Sequence, residues 1–372
     1  MRIFSALLSV LALADIRRII QEIPDERLRP YGGPWGNRIP DVPADHRELS
    51  EIDRNVAPAA QILAPGATSV DVNTLPTDLV MHKAFRLKSS NRMSQSDMEL
   101  LMSVRDSGGA VPRDRQALLN IARRHIERRM QSVRTTRGIL LSAMAVGDLQ
   151  WSHQGYIASM DFGMPSEMKL TPGTYWIDNT GTPDATATPI SDLIAMDQAA
   201  ADLGGAPFDQ IDMSRSVFQA TLATDEYQDQ AKALSAVYNV ASLPVAGSEA
   251  AHQLAARVLG KTINIVDNTY QIENADGTRS TGRYVPEKYV TLWRSSDGIA
   301  AYDFANCPLT ESAVAAIAGD PTFGGDVVRG PMSYMTLDRD DFAWVRMHGT
   351  QEGTPRRHIR TATARITVIE PE

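Results

Sequence analysis

Eight arginines crowd the stretch from Arg113 to Arg137, at positions 113, 115, 123, 124, 128, 129, 134 and 137, against only Asp114 and Glu127. The chemistry they offer is anion binding, because a guanidinium stays charged near neutral pH and presents a planar fork of donors to phosphate or carboxylate. The window carries +6 in a chain of formal charge −8, so the remainder carries −14. Arg124 and Arg128 fall opposite an apolar stripe of helical spacing and are placed to meet an anion. Arg137 falls on the stripe itself, next to Gly138, and needs a paired acid if it is buried. Two readings stay open: a solvated helix with salt bridges between subunits, or a surface facing phosphate. Arg123, Arg124, Arg128, Arg129, Arg134 and Arg137 are the candidates for either role. A second, smaller basic cluster is Arg356, Arg357 and Arg360.

Other arrangements that could do chemistry fail on their context. Ala255–Thr262, AARVLGKT, ends like a phosphate-binding loop. Such a loop needs glycines whose amides wrap the phosphate, and it must lead from a strand into a helix. Here the order is helix, Gly-Lys-Thr, strand, and Gly260 reads as a helix C-cap. The seven histidines (46, 82, 125, 153, 252, 348 and 358) show no metal-ligand spacing. Cys307, followed by Pro308, has no nucleophile signature, and no G-x-S-x-G elbow occurs. Acidic pairs such as Asp340-Asp341 close turns more often than they catalyse. No catalytic residue, metal or cofactor is expected.

The elements that position these residues follow from pattern. The chain has 372 residues, 43% hydrophobic and 22% charged, which suits a globular protein of about two domains and excludes disordered and fibrous classes. One cysteine rules out an intrachain disulfide. Ile3 to Ile23 reads as one amphipathic helix that packs on something; the alternative is a secretion signal, with Ala12-Leu13-Ala14 as its cleavage site. No run reaches the ~18 apolar residues of a membrane span.

Residues 24–58, rich in Pro and Gly, are expected to form an extended arm on a neighbouring surface. Residues 59–90 read as a long, loosely supported hairpin, which normally needs a partner. Leu119, Ala122, Ile126, Met130 and Val133, then Leu140, Leu141 and Met144, predict a helix over Arg113–Val146, with Pro112 before it and Gly147 after it. Strand-like pattern follows over Gln150–Asp178, then helices Asp192–Leu203, Ser214–Leu222 and Ser248–Leu259, with Ser214 as a cap. Thr262–Ile272 is a strand, Asp276-Gly277 a hairpin turn, and Tyr289–Trp293 another strand. Residues 331–372 return to β patterning. The class is α+β.

In that order the elements resemble a tailed-phage major capsid protein of the lambda-like capsid protein E family, with the HK97-type shell fold. The resemblance covers about residues 50–370. It rests on VAPAAQILAPGATSVDVNTLP before HKAFRLKS, and on DRQALLNIARRHIERRMQSVRTTRGILLSAMAVGDL. It continues in QIDMSRSVFQATL, in NTYQIENADGTRSTGRYVPEKYVTLWRS and in the closing RRHIRTATARITVIEPE.

The resemblance implies an N-terminal arm over 1–50 and an E-loop over 51–92, with Val70, Val72, Leu75 and Val80 as contacts to a neighbouring subunit. It implies a peripheral domain over 93–184 containing spine helix 113–146, an axial domain over 185–330, and C-terminal strands 331–372 that complete the peripheral domain. The implied function is a structural one. The subunit self-assembles into hexamers and pentamers of an icosahedral head, holds double-stranded DNA without reading sequence, and belongs to the virion after assembly in the bacterial host cytoplasm. Decoration and scaffolding proteins are admitted as further partners; a membrane is not. An encapsulin-like nanocompartment shell is the alternative, and an exported binding protein or hydrolase is a third.

Overall fold

The computed structural model describes residues 13–44, 49–53, 77–81, 84–97, 99, 112–153, 156–237, 248–273, 278–296, 301–309, 330–337 and 345–371. The chain divides into two compact units. The first is Met1–Glu48, Lys83–Leu140 and Phe304–Thr354; the second is Leu49–His82, Leu141–Asp303 and Pro355–Glu372.

The dominant element is a helix of 35 residues, Pro112–Val146, which begins in the first unit and ends in the second. At 1.5 Å per residue it is about 52 Å long. Its apolar stripe is buried as the spacing requires: Ile126, Met130, Val133, Leu140, Leu141 and Met144. Proline stands at its first position, where no amide partner is lost. Gly147 follows it with φ of +107°, and its amide donates to the carbonyls of Ala143 and Met144. That backbone suits glycine and ends the helix.

The first unit holds a five-stranded sheet in the order Asp41–Pro43, Tyr302–Asn306, Val345–Arg357, Met332–Leu337, with Phe85–Arg92 also paired to Val345–Arg357. The N-terminal helix Leu13–Glu22 packs on Met332–Leu337, and Ile19 and Ile23 are buried. The reading of 24–58 as an extended arm is corrected over its described part. Asp25–Leu28 and Gly33–Arg38 are short helices joined by a 3-10 turn, Arg29–Tyr31, and Asp41–Pro43 then runs parallel to Tyr302–Asn306. The Asn37 side-chain amide stitches the turns by donating to the carbonyls of Arg29 and Gly33. Trp35 is fully buried in this segment. Pro30 and Pro34 stand in the first turns of helical segments, where their fixed φ fits, whereas Pro43 is part of the strand Asp41–Pro43.

The second unit is built on a mixed sheet, ordered Lys169–Leu170, Thr363–Thr367, Tyr289–Trp293, Gln210–Met213, Thr262–Ile265. Gln210–Met213 and Thr262–Ile265 are parallel, so their connection must cross over. Helices Arg215–Ala223, Asp225–Val237 and Glu249–Leu259 lie along that crossover. The second of these has no counterpart in the sequence reading. Ser214 accepts from the Val217 amide and Ser248 from that of Ala251, both as N-caps. Ile211, Val217, Val290, Leu292, Ala364, Ile366 and helix residues Leu193 and Met196 share one apolar core. The strand read as Thr262–Ile272 is two, Thr262–Ile265 and Thr269–Glu273, the latter pairing with Arg279–Arg283. The Asp276-Gly277 turn lies outside the described residues. The closing β residues divide: Met332–Leu337 belongs to the first unit's sheet, whereas Thr363–Thr367 pairs with Tyr289–Trp293 in the second.

Among the described residues three antiparallel ribbons belong to neither five-stranded sheet: Leu49–Asp53 with Thr77–Met81, Asp148–His153 with Tyr156–Asp161, and the pair Thr269–Glu273 and Arg279–Arg283. In the first, Thr77–Met81 falls within the expected hairpin 59–90, but its partner Leu49–Asp53 comes from the stretch read as an arm. Phe85–Arg92, assigned to that hairpin from sequence, is a strand of the first unit's sheet instead.

Candidate functional site

The arginines of the long helix separate into internal ties and an outward face. Arg123 Nη2 reaches the Glu22 carbonyl at 3.5 Å. Arg129 Nη1 donates to Ser89 Oγ at 2.8 Å and to the Ser90 carbonyl at 3.3 Å. Arg134 Nη2 meets Asn37 Oδ1 at 3.3 Å and Asp25 Oδ1 at 3.4 Å. Each of these partners lies in the first unit of the same chain, so these contacts are ties within one subunit.

Arg137 is the most committed. Its side chain is 3% exposed, and Nη2 lies 2.6 Å from Asp41 Oδ1. Nη1 and Nη2 donate at 2.9 Å to the carbonyls of Gly36 and Ile39, and the guanidinium lies over the Phe304 ring. Burial pulls its pKa below the usual value, and Asp41 pulls it back. The acid required of a buried Arg137 is therefore Asp41, donated by the N-terminal segment. A Cβ on Gly36 would lie 3.4 Å from the Gly138 Cα, so two glycines let segment and helix cross closely.

Arg124 and Arg128 remain on the outward face. The Arg124 side chain is 55% exposed, with Asp97 Oδ1 3.5 Å away. Arg128 is exposed and has no ion pair among the described residues. Burial pushes the Asp97 carboxyl up, but hydrogen bonds from His125 and Ser94 outweigh it and hold the pKa below the usual range. Asp97 is thus ionised, 2.9 Å from His125 and 3.5 Å from Arg124, and offsets part of that arginine's charge, which leaves Arg128 as the cation of this face with no ion pair among the described residues. The side chains of Arg113 and Arg115 lie outside the described residues.

Val70, Val72 and Leu75 lie outside the described residues, and Val80 is on the ribbon strand Thr77–Met81, opposite Ser50. Of the histidines, His46 and His82 lie outside too. His125 and His358 each face one aspartate, Asp97 and Asp303, and no group of three metal-ligating side chains occurs among the described residues. Lys261 of the Gly-Lys-Thr stretch is buried, with Nζ 2.6 Å from Asp197 Oδ2 and from the Phe208 carbonyl. Two of its three donors are taken inside the chain, and burial keeps the ammonium from a phosphate.

Two arginines of the second basic cluster, Arg356 and Arg357, are engaged inside the chain, and Arg360 is half-buried. Arg356 Nε and Nη2 grip Asp303 at 2.8 and 2.7 Å. Arg357 is 1% exposed, and its Nη2 donates to the carbonyl of Met144 and to Thr363 Oγ1, both at 2.6 Å. Arg365 Nη1 reaches the Val146 carbonyl at 3.2 Å. These two cations bond carbonyls in the last turn of the long helix, where its dipole favours positive charge. Burial pulls the Arg357 pKa down to about 10, against the attraction of Tyr302 and Asp161. Arg365 was not among the sequence candidates; an arginine on an alternating strand gives no signal that it caps a helix elsewhere in the chain.

No protein-family model matches the chain, and no curated protein is similar to it in sequence. Among solved structures, a chain described as the capsid protein of a prophage of E. coli CFT073 superposes with a TM-score of 0.52 at 11% identity, covering 94% of this chain and 96% of that one. A phage-related protein from Bordetella bronchiseptica RB50 superposes with a TM-score of 0.51 at 11% identity, covering 92% and 94%. The likeness extends over both units and shows the fold. The chain has the α+β, HK97-type architecture that the order of its elements resembles.

Proposed function

We propose that the chain is the major capsid protein of a tailed phage, a structural subunit that assembles into the hexamers and pentamers of an icosahedral head around double-stranded DNA. One observation carries this reading: a phage-capsid fold that runs nearly end to end, with a two-stranded ribbon joined to no larger sheet among the described residues. Such a ribbon is marginal alone and gains order from a neighbour. Heterologous contacts of this kind, closing into rings, build shells.

In this reading the ribbon from Leu49–Asp53 to Thr77–Met81 is the E-loop, Pro112–Val146 the spine helix, and residues 185–330 the axial domain at the ring centres. The subunit acts without chemistry of its own, and the head forms in the bacterial host cytoplasm. Electron microscopy of purified protein tests it: closed icosahedral particles or flat sheets of hexamers are expected. A monodisperse ~41 kDa monomer under all conditions would refute it. Particle contents separate a phage head, with nucleic acid, from a nanocompartment that holds a protein cargo.

The positive face of the long helix suits DNA held by its backbone, a salt-sensitive contact that reads no sequence. Arg124→Glu combined with Arg128→Glu is expected to lower DNA retained per particle about tenfold while particle yield stays within about twofold. Equal loss of particles and DNA would assign the pair to contacts between subunits. The absorbance ratio of purified particles at 260 and 280 nm reads the difference.

A further inference from the structure

The strand Phe85–Arg92, FRLKSSNR, is paired on one side only among the described residues, with Val345–Arg357, from Phe85 opposite Gly353 to Arg92 opposite Arg346. Its two faces differ. Leu87 is buried and Ser89 is held by Arg129, and a Cβ on Gly349, opposite Ser89, would strike Arg129. The long helix therefore covers the face of residues 87 and 89. The alternate positions Arg86, Lys88, Ser90 and Arg92 are exposed. Arg86 also pairs with Glu352 at 2.7 Å, and its side chain remains 46% exposed. The strand thus carries three exposed cations, one of them paired with Glu352, and no acid of its own.

The ribbon has the opposite composition. Leu49–Asp53, LSEID, and Thr77–Met81, TDLVM, hold Glu51, Asp53 and Asp78 and no lysine or arginine. Three residues separate Met81 from Phe85, yet ribbon and strand belong to different sheets of this chain. Basic side chains on an edge strand discourage pairing with arbitrary strands. They also select a partner of opposite charge, since like charges brought together are strongly unfavourable.

We propose that the basic edge strand Phe85–Arg92 of one subunit receives the acidic ribbon of a second copy of this chain, by strand addition at the edge with charge pairing between the two. This rests on the shell-subunit reading and names the acceptor of its reaching ribbon. Backbone hydrogen bonds supply general affinity in such an addition, and the side chains supply choice of partner.

Charge reversal tests it. Lys88→Glu with Arg92→Glu makes an edge-reversed chain, and Glu51→Lys with Asp53→Lys a ribbon-reversed chain. Each alone is expected to lower the assembled fraction about tenfold in sedimentation velocity. Both reversals in one chain are expected to restore it. An equal mixture of the two single-reversal chains should also recover assembly, because each ribbon then finds a complementary edge on the other kind of chain. An alternating ring closes only with an even number of subunits, so the mixture should give hexamers and sheets and few closed shells.

Recovery by the combined chain but not by the mixture would place the contact within one subunit and overturn the proposal. So would two reversals that leave assembly unchanged, or two that block it with no recovery by either route. Normal particles that lose only their DNA on edge reversal would hand the strand to nucleic acid instead, and also overturn it. If the unaltered chain never assembles, the shell-subunit reading itself falls; an intact wild-type shell indifferent to reversal removes only this inference.

Discussion

Arg137→Met is expected to destabilise the first unit by about 3 kcal/mol, the lower end of what removing one partner of a buried charge pair costs. Methionine replaces the apolar stem, so the loss isolates the guanidinium. Two carbonyls, Gly36 and Ile39, lose their donor, and Asp41 loses its cation. Asp41 is 38% exposed and partly rehydrates, which is why the figure falls at the lower end. Arg134→Ala is the control, since its acid Asp25 is 62% exposed. Exposed pairs contribute about 0–1 kcal/mol. Urea unfolding should therefore separate the two variants by about 2 kcal/mol. Amide exchange in Arg137→Met should rise first over residues 25–41, the segment the guanidinium holds. Equal midpoints for the two variants would mean that Trp35 and its neighbours hold the segment without Arg137.

Why the helix could be read and its clasp could not is a matter of which forces leave a periodic trace. Pro112–Val146 buries a stripe at steps of three and four, and its ends carry proline and glycine, so each local signal agrees with the fold. Ser214 and Ser248 likewise announce their helices, because an N-cap acts on amides two or three residues away. Arg137 also left a trace: a cation on an apolar stripe demands an acid. The position of that acid is not periodic. Asp41 is almost a hundred residues earlier, in a stretch whose prolines and glycines conceal a single buried tryptophan.

Asp225–Val237 escaped for a related reason. Its buried positions include Ala231 beside Tyr227, and alanine gives little contrast between the two faces of a helix. The break between Thr262–Ile265 and Thr269–Glu273 falls at Asp267, whose Oδ1 accepts from the Arg215 amide and Arg283 Nη1, both at 3.1 Å. Contacts across such sequence separations decide side-chain roles as well. Four of the six nominated arginines turned inward because their acceptors come from other parts of the chain. The two on the face opposite the stripe stayed outside, as simple helix geometry requires.

Deleting residues 1–44 is the sharpest test of where the N-terminal segment belongs. An arm lying on a neighbour could be removed without harm to the isolated subunit, and only assembly would suffer. The structure dictates a different result. Truncation strips the helix Leu13–Glu22 from Met332–Leu337 and bares the Tyr302–Asn306 edge that Asp41–Pro43 covers. It also leaves Arg137 without its carboxylate and two carbonyls. The loss of a buried tryptophan alone costs about 3–5 kcal/mol on the scale of large-to-small core changes. With about 3 kcal/mol for Arg137 added, the total of about 6–8 kcal/mol falls within the 5–15 kcal/mol that holds a typical domain together. The truncated chain should therefore be largely insoluble, and its soluble fraction should bind a hydrophobic dye and lose near-ultraviolet dichroism. A soluble, cooperatively folded product with a wild-type urea midpoint would return the segment to a neighbouring subunit.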